Sequence, residues 1–258
     1  MRAALLISLL FVFSAAFAQN QSGDMSGMDM SHSAGTDQSM HDMPGMAGDS
    51  NAEAMHSMEG HHMDMGPHMK MTDLRAMQPG DQEKADEVVK AARTVVEKYK
   101  DYRVALADGY KIFLPNVPQK VYHFSNFWFS MQARDSFDPS KPPSLLYEKD
   151  GDGYKIVGVM YTARKDASED ELNARIPLSI AQWHAHVNFC VAPWSQRGEG
   201  MQPNPKFGAA GSIATKDACD AAGGRFLPQV FGWMVHVYPL EKTQAEIWSV
   251  ERQANHMD

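Results

Sequence analysis

The chain has 258 residues, of which 43% are hydrophobic and 10% aromatic, an ordinary composition for one or two globular domains. Its formal net charge is -8 at pH 7, so it lacks the basic surface with which proteins bind nucleic acids. It contains no glycine-rich phosphate loop, no G-x-S-x-G motif and no C-x-x-C motif, which excludes the best-marked nucleotide-binding, serine hydrolase and dithiol redox classes.

Residues 1–18 have the pattern of a secretory signal peptide. Arg2 precedes an apolar run from Ala3 to Phe13, and Ala16-Phe17-Ala18 forms a small-x-small cleavage pattern. A membrane span needs ~20 apolar residues, and neither this run nor any later one is that long. We therefore expect cleavage near Ala18, no membrane span, and a secreted or periplasmic mature protein.

Residues 19–80 form a segment rich in methionine and histidine. They hold 13 of the 19 methionines and 6 of the 11 histidines, but only one branched aliphatic residue, Leu74, and no aromatic residue. Such a segment cannot bury enough apolar surface to offset the entropy of ordering, so we expect it to be disordered.

The same segment is loaded with soft metal ligands. Thioether sulfur selects Cu(I), and imidazole accepts copper in both oxidation states as well as zinc. The densest stretch is GHHMDMGPHMKM, and it supplies these candidate copper ligands: His61, His62, Met63, Met65, His68 and Met69. A methionine-rich linker that only solvates the protein, or that takes up oxidants as sulfoxide, is the alternative.

The repeated words DMSGMDMSH, MHDMPGM and MHSMEGHHMDM make this segment similar to the Met/His-rich regions of periplasmic copper-resistance proteins. The resemblance covers about Asp24 to Met77 and is one of composition. It implies copper handling, and it carries no implication for the residues that follow.

Residues 81–258 have the pattern of a folded α+β domain. Apolar residues recur at three- and four-residue steps after Asp81, which predicts one long amphipathic helix ending at Gly109. A short helix is predicted near Thr215 to Ala222, and strands are predicted at Val121–Ser130, Leu145–Glu148, Tyr154–Tyr161, Leu178–Val191, Phe231–Leu240 and Ala245–Val250. We expect the helix to pack on a mainly antiparallel β barrel or sandwich.

The stretch AQWHAHVNFC, from Ala181 to Cys190, predicts a metal site. On a strand, the period of two places His184 and His186 on one face. Gln182 and Asn188 would share that face and orient the ligating rings. His236 and His123 lie in similar strand-like contexts, so the four histidines are candidate ligands for copper, or alternatively zinc.

The H-x-H pair followed by a histidine on a later strand is similar to the metal-binding arrangement of cupins. The resemblance covers His184, His186 and His236. It implies a metalloenzyme, an oxidoreductase or hydrolase, whose metal keeps an open coordination position. Cupins usually have a glutamate a few residues after the second histidine, and here Cys190 occupies that neighbourhood.

The two cysteines of the chain, Cys190 and Cys219, are expected to form a disulfide, because an even count in a secreted protein favours pairing. Metal ligation by Cys190 is the alternative.

Three functions stay open from the sequence. The first is copper binding by the Met/His-rich segment 19–80, here called the tail, together with the histidines of residues 81–258. The second is metal-dependent catalysis, and the third is a hydrophobic small-molecule site with hydrogen-bonded histidines.

Overall fold

The computed structural model describes residues 66–196, 205–249 and 251–252. The predicted signal peptide and the tail ligands His61, His62, Met63 and Met65 lie outside these residues. The described residues all belong to one unit, 64–258. Among them, no helix combines the length and the apolar character needed to cross a membrane.

Eight described strands form one antiparallel sheet with the order β1-β6-β8-β5-β4-β3-β2, and β7 pairs with β6 beside this path. The strands are β1 (Met69–Met71), β2 (Tyr110–Ile112), β3 (Tyr122–Asn126), β4 (Ser144–Asp150), β5 (Gly153–Ala163), β6 (His184–Val191), β7 (Arg225–Gln229) and β8 (Trp233–Val237).

The predicted α+β class and the mainly antiparallel sheet are confirmed, but the closed barrel is wrong. Strands β1 and β2 stand at opposite ends of the strand order, and in the described residues no pairing joins them. Each is only three residues long, so each offers few backbone groups for closure. The predicted hairpin around Asp150 and Gly153 is present, because β4 and β5 pair directly at these two residues.

Six helices accompany the sheet in the described part of the chain. They are α1 (Asp81–Lys98), α2 (Tyr102–Ala107), α3 (Phe127–Gln132), α4 (Glu169–Arg175), α5 (Lys216–Ala221) and α6 (Gln244–Ile247). The stretch expected to form one helix up to Gly109 is two helices, since Asp101 caps α2 by accepting the backbone N–H of Arg103. The strand expected at Ala245–Val250 is replaced by α6, which starts with a capping box of Thr243 and Glu246.

Helix α1 covers one face of the sheet. Its inner stripe packs with aromatic and aliphatic side chains of β4, β5 and β8 into the main core, and it consists of Ala85, Val88, Val89, Ala92, Val95 and Val96. Strand residues on this face include Tyr147, Val159 and Val235. Their neighbours along each strand point to the opposite face, because side chains alternate along a strand.

The predicted disulfide is confirmed. Cys190 on β6 and Cys219 on α5 are joined with a Cα–Cα distance of 5.7 Å, and both are fully buried beside Phe207. The alternative of metal ligation by Cys190 is therefore wrong, because no thiolate remains. By the loop-entropy argument, a bridge across 29 residues stabilises the fold by about 3 to 4 kcal/mol.

Residues 66–75, here called the strap, correct the expectation that the whole segment 19–80 is disordered. Strand β1 pairs with β6, with Met69 opposite His186 and Met71 opposite His184. Thr72 exchanges two hydrogen bonds with Trp183, and the backbone N–H of Arg75 donates to the Leu178 carbonyl at 3.0 Å. Backbone pairing with an existing strand edge supplies the order that the side chains cannot.

Replacing Thr72 by valine is expected to destabilise the protein by about 1 to 3 kcal/mol. The Thr72 side chain is buried, and its hydroxyl accepts the backbone N–H of Trp183 at 3.0 Å. Valine has nearly the same shape but leaves that N–H without an acceptor. The free energy of unfolding from urea titrations measures the loss. The matched control is Thr72→Ser, which keeps the hydroxyl, and equal losses in both variants would contradict this account.

Candidate metal centre

The four histidines predicted as ligands lie on one face of the sheet, opposite to helix α1. His184 and His186 alternate along β6 with Ala185, which is fully buried in the core beneath α1. His236 on β8 stands opposite Met160 of β5, and His123 on β3 stands opposite Leu146 of β4. We call this surface the histidine face.

The histidine rings form a continuous chain. The ring centroids of His123 and His236 are 5.4 Å apart, those of His236 and His184 are 5.1 Å apart, and those of His184 and His186 are 5.5 Å apart. In a flat sheet, β3 and β8 would be separated by roughly 14 Å, because two strands lie between them. The sheet must therefore curl, with the histidine face on its concave side.

Gly158 lies where β5 and β8 approach each other closely. A Cβ atom at this position would lie 2.4 Å from the carbonyl oxygen of Val237 and 3.1 Å from the Tyr238 ring. Only glycine lets the backbones of β5 and β8 approach so closely. Gly158 also pairs with Leu146, whose other cross-strand neighbour is His123. The close approach thus lies between the strands that bring His123 and His236 together.

Burial lowers the pKa of two of the four histidines. His184 and His236 are almost completely buried, with 1% and 2% of their surface exposed. The pKa of His123 is lowered to about 4, mainly by loss of solvation and secondarily by the nearby His186. Loss of solvation also lowers the pKa of His186. A neutral ring is the form that ligates a metal ion.

The cluster reaches the protein surface beside His186. His186 is half-buried, and its ring lies 6.3 Å from that of Phe231, which is exposed and contacts Phe113. The His186 Nδ1 atom is buried and has no hydrogen-bond partner among the residues that the structure describes. Buried polar atoms are normally paired, so this nitrogen is suited to a ligand that the protein alone does not supply.

The ring spacing is that expected of imidazoles that share one ion. Two rings bound through nitrogen at about 2.0 to 2.1 Å, in tetrahedral geometry, have centroids roughly 5 Å apart. Spacing alone does not complete a site. In the described ranges, no group of three or more His, Cys, Asp or Glu side chains is positioned to hold a metal ion. Binding by imidazoles alone would require the rings to turn.

Two of the predicted supporting residues have other roles. The Gln182 side chain donates to the backbone carbonyl of Thr72 at 2.6 Å, and that of Asn188 donates to the carbonyl of Pro67 at 2.7 Å. Both amides therefore hold the strap rather than orient the rings. Asn188 also has a φ of 56°, which interrupts the extended conformation of β6 and with it the predicted alternation.

The tail candidates His68 and Met69 have different surroundings in the structure. His68 is buried, and its Nε2 faces the carbonyl oxygen of Gly211 at 2.5 Å, so this histidine fastens the strap to a loop. Met69 stands opposite His186 and therefore shares the histidine face.

Sequence reasoning missed Met71, Met160 and Met234 as members of this face. The M-x-H word at 234–236 was a signal that these side chains share a side.

Comparison with known proteins adds no relative. No family model, no curated protein and no solved structure matches the chain. The open sheet also differs from the double-sheet jelly roll of the cupins, so the earlier likeness stays limited to the three histidines that suggested it.

Replacing Gly158 by alanine is expected to destabilise the protein by about 1 to 3 kcal/mol, because the new methyl group overlaps the Val237 carbonyl. Urea titration measures the loss. Gly153→Ala, at the start of the same strand, is the control, since a Cβ there meets its nearest atom at 3.4 Å. A loss at Gly158 no larger than that at Gly153 would show that the close approach is not required.

The metal-free protein is expected to lose stability as the pH falls from about 6.5 toward 4. The pKa of His123 is about 4 in the folded protein, whereas an unfolded histidine has a pKa of about 6.5. The unfolded chain therefore binds this proton first, at a cost to folding of about 1.4 kcal/mol per pKa unit. Unfolding free energies across this range should fall less steeply in His123→Gln than in the parent protein. Parallel curves would contradict the assignment.

Proposed function

We propose that the protein binds copper, which methionines and histidines of the tail capture and the histidine face holds. The ligand set on this face consists of His184, His186, His236 and His123. Imidazole binds copper in both oxidation states, and zinc is the alternative ion. Metal binding is the proposed function.

One observation carries the proposal. Three separate strands bring four imidazoles into a chain whose successive ring centroids are 5.1 to 5.5 Å apart. Two of the four, His184 and His236, are almost completely buried, although histidine is a residue type that is only intermediate in its tendency to be buried. The unpartnered Nδ1 of His186, within the described part of the chain, supports the same conclusion.

The course of the chain supports delivery of the ion from the tail. Met65 and Met63 precede Met69 by four and six residues in the sequence. Both are joined by this short stretch of sequence to the strand that pairs with β6 beside His186. A tethered donor acts at a high effective concentration, which favours transfer of an ion over its loss to solution.

Copper is expected to raise the melting temperature of the full chain, and His184→Gln or His236→Gln is expected to abolish that rise. An ion that binds only the folded state stabilises it, by about 2.7 kcal/mol at one hundred times its Kd. Ions that bind folded and unfolded chains equally well leave the melting temperature unchanged. Calorimetry with copper and with zinc, beside elemental analysis, measures both effects.

The control is the double variant His61→Gln and His62→Gln. It should bind less copper in total but keep the copper-dependent rise in melting temperature. If the rise persists in both variants of the histidine face, or if neither metal produces one in the parent protein, the histidine face is not a metal site and the proposal fails.

A further inference from the structure

The cross-strand partners of the four histidines are almost all methionines. Met71 and Met234 flank His184 from the two neighbouring strands, Met160 stands opposite His236, and Met69 stands opposite His186. The exception is Leu146, opposite His123. The structure describes six methionines, and four of them occupy these positions. This concentration separates the histidine face from the rest of the described domain.

The register places these sulfur atoms on the same side of the sheet as the rings. Residues directly opposite each other in an antiparallel pair have Cβ atoms about 4.5 to 5.5 Å apart and project to one face. Met160 and Met234 are buried together with Val121, Leu146 and Tyr238 on the concave side. Met71 is half-buried and lies on the strap. Methionine is unbranched and has three rotatable bonds, so rotation of the side chain can turn its sulfur toward a neighbouring ring.

We propose that the histidine face binds Cu(I) through a mixed set of imidazole and thioether ligands. In this set Met71 and Met234 supply sulfur on either side of His184, and Met160 supplies it beside His236. The inference rests on the proposed copper-binding function and names the oxidation state that this site selects. It also explains why no set of His, Cys, Asp and Glu alone is complete among the described residues.

Charge favours the monovalent ion. The cross-strand partners of the four histidines, within the part of the chain that is described, include no carboxylate. Neutral ligands leave the full charge of the ion in a buried place, and the cost of burying a charge rises with its square. Cu(I) therefore costs far less to bury here than Cu(II) or Zn(II). Thioether sulfur adds to this preference because it is a soft ligand.

The test is an anaerobic titration of the full chain with Cu(I), buffered by the chromophoric chelator bicinchoninate, and a parallel titration with Zn(II). The variants are Met71→Leu, Met160→Leu and Met234→Leu, which nearly conserve side-chain volume. Met131→Leu is the matched control, because Met131 is exposed on α3. Residues 19–65 are identical in the parent protein and in all four variants, so any copper that they bind contributes equally to each.

Each of the three variants on the histidine face is expected to weaken Cu(I) binding roughly tenfold or more and to reduce the Cu(I)-dependent rise in melting temperature. Zinc binding should stay unchanged, since zinc does not use thioether ligands. Met131→Leu should behave like the parent protein. The melting temperature of each metal-free variant reports its folding, and Met71→Leu carries the test if a buried variant fails to fold.

Two outcomes separate this inference from the function on which it rests. If His184→Gln abolishes the Cu(I)-dependent rise while all three methionine variants match Met131→Leu, the copper site stands and the thioether ligands are overturned. If the rise persists in both His184→Gln and His236→Gln, or is absent from the parent protein, the copper site itself is overturned.

Discussion

The close approach of β5 and β8 at Gly158 is the constraint on which the histidine cluster depends. A side chain at this position would meet the Val237 carbonyl oxygen at 2.4 Å, so only glycine allows this close approach. The bend of the sheet lets a ring on β3 lie 5.4 Å from a ring on β8 across two intervening strands. Without the bend, the four histidines would occupy one face but would not form one cluster.

Strand alternation then divides the chemistry of the sheet between its two faces. Trp183, Ala185, Val235 and Val237 pack in the core beneath α1, and the residues between them carry the imidazoles. The apolar face supplies the hydrophobic stabilisation that a small core needs. The concave face is free to bury polar rings, at a cost in solvation that appears as the lowered pKa values of His123 and His186.

Sequence reasoning reached the local features and missed those set by distant pairing. The hairpin at Asp150 to Gly153, the disulfide and the shared face of His184 and His186 follow from turn residues, cysteine count and a period of two. The open sheet, the strap and the role of Gln182 depend on which strands become neighbours, and no local pattern encodes that choice. Composition predicts disorder for residues 66–75 because it carries no information on backbone pairing with β6.

The strap couples the fold to the proposed ion. Its backbone continues the sheet beside β6, while Met69 and Met71 project to the face that carries His184 and His186. Strand β1 has only three residues and makes few backbone hydrogen bonds. An ion bound by both its side chains and the histidine rings would therefore supply a large fraction of the free energy that keeps β1 paired with the sheet. By linkage, an ion that stabilises the docked strap would bind more weakly to a chain whose strap is undocked, by the same coupling free energy. A methionine-rich segment can thus be both an edge strand and part of a metal site.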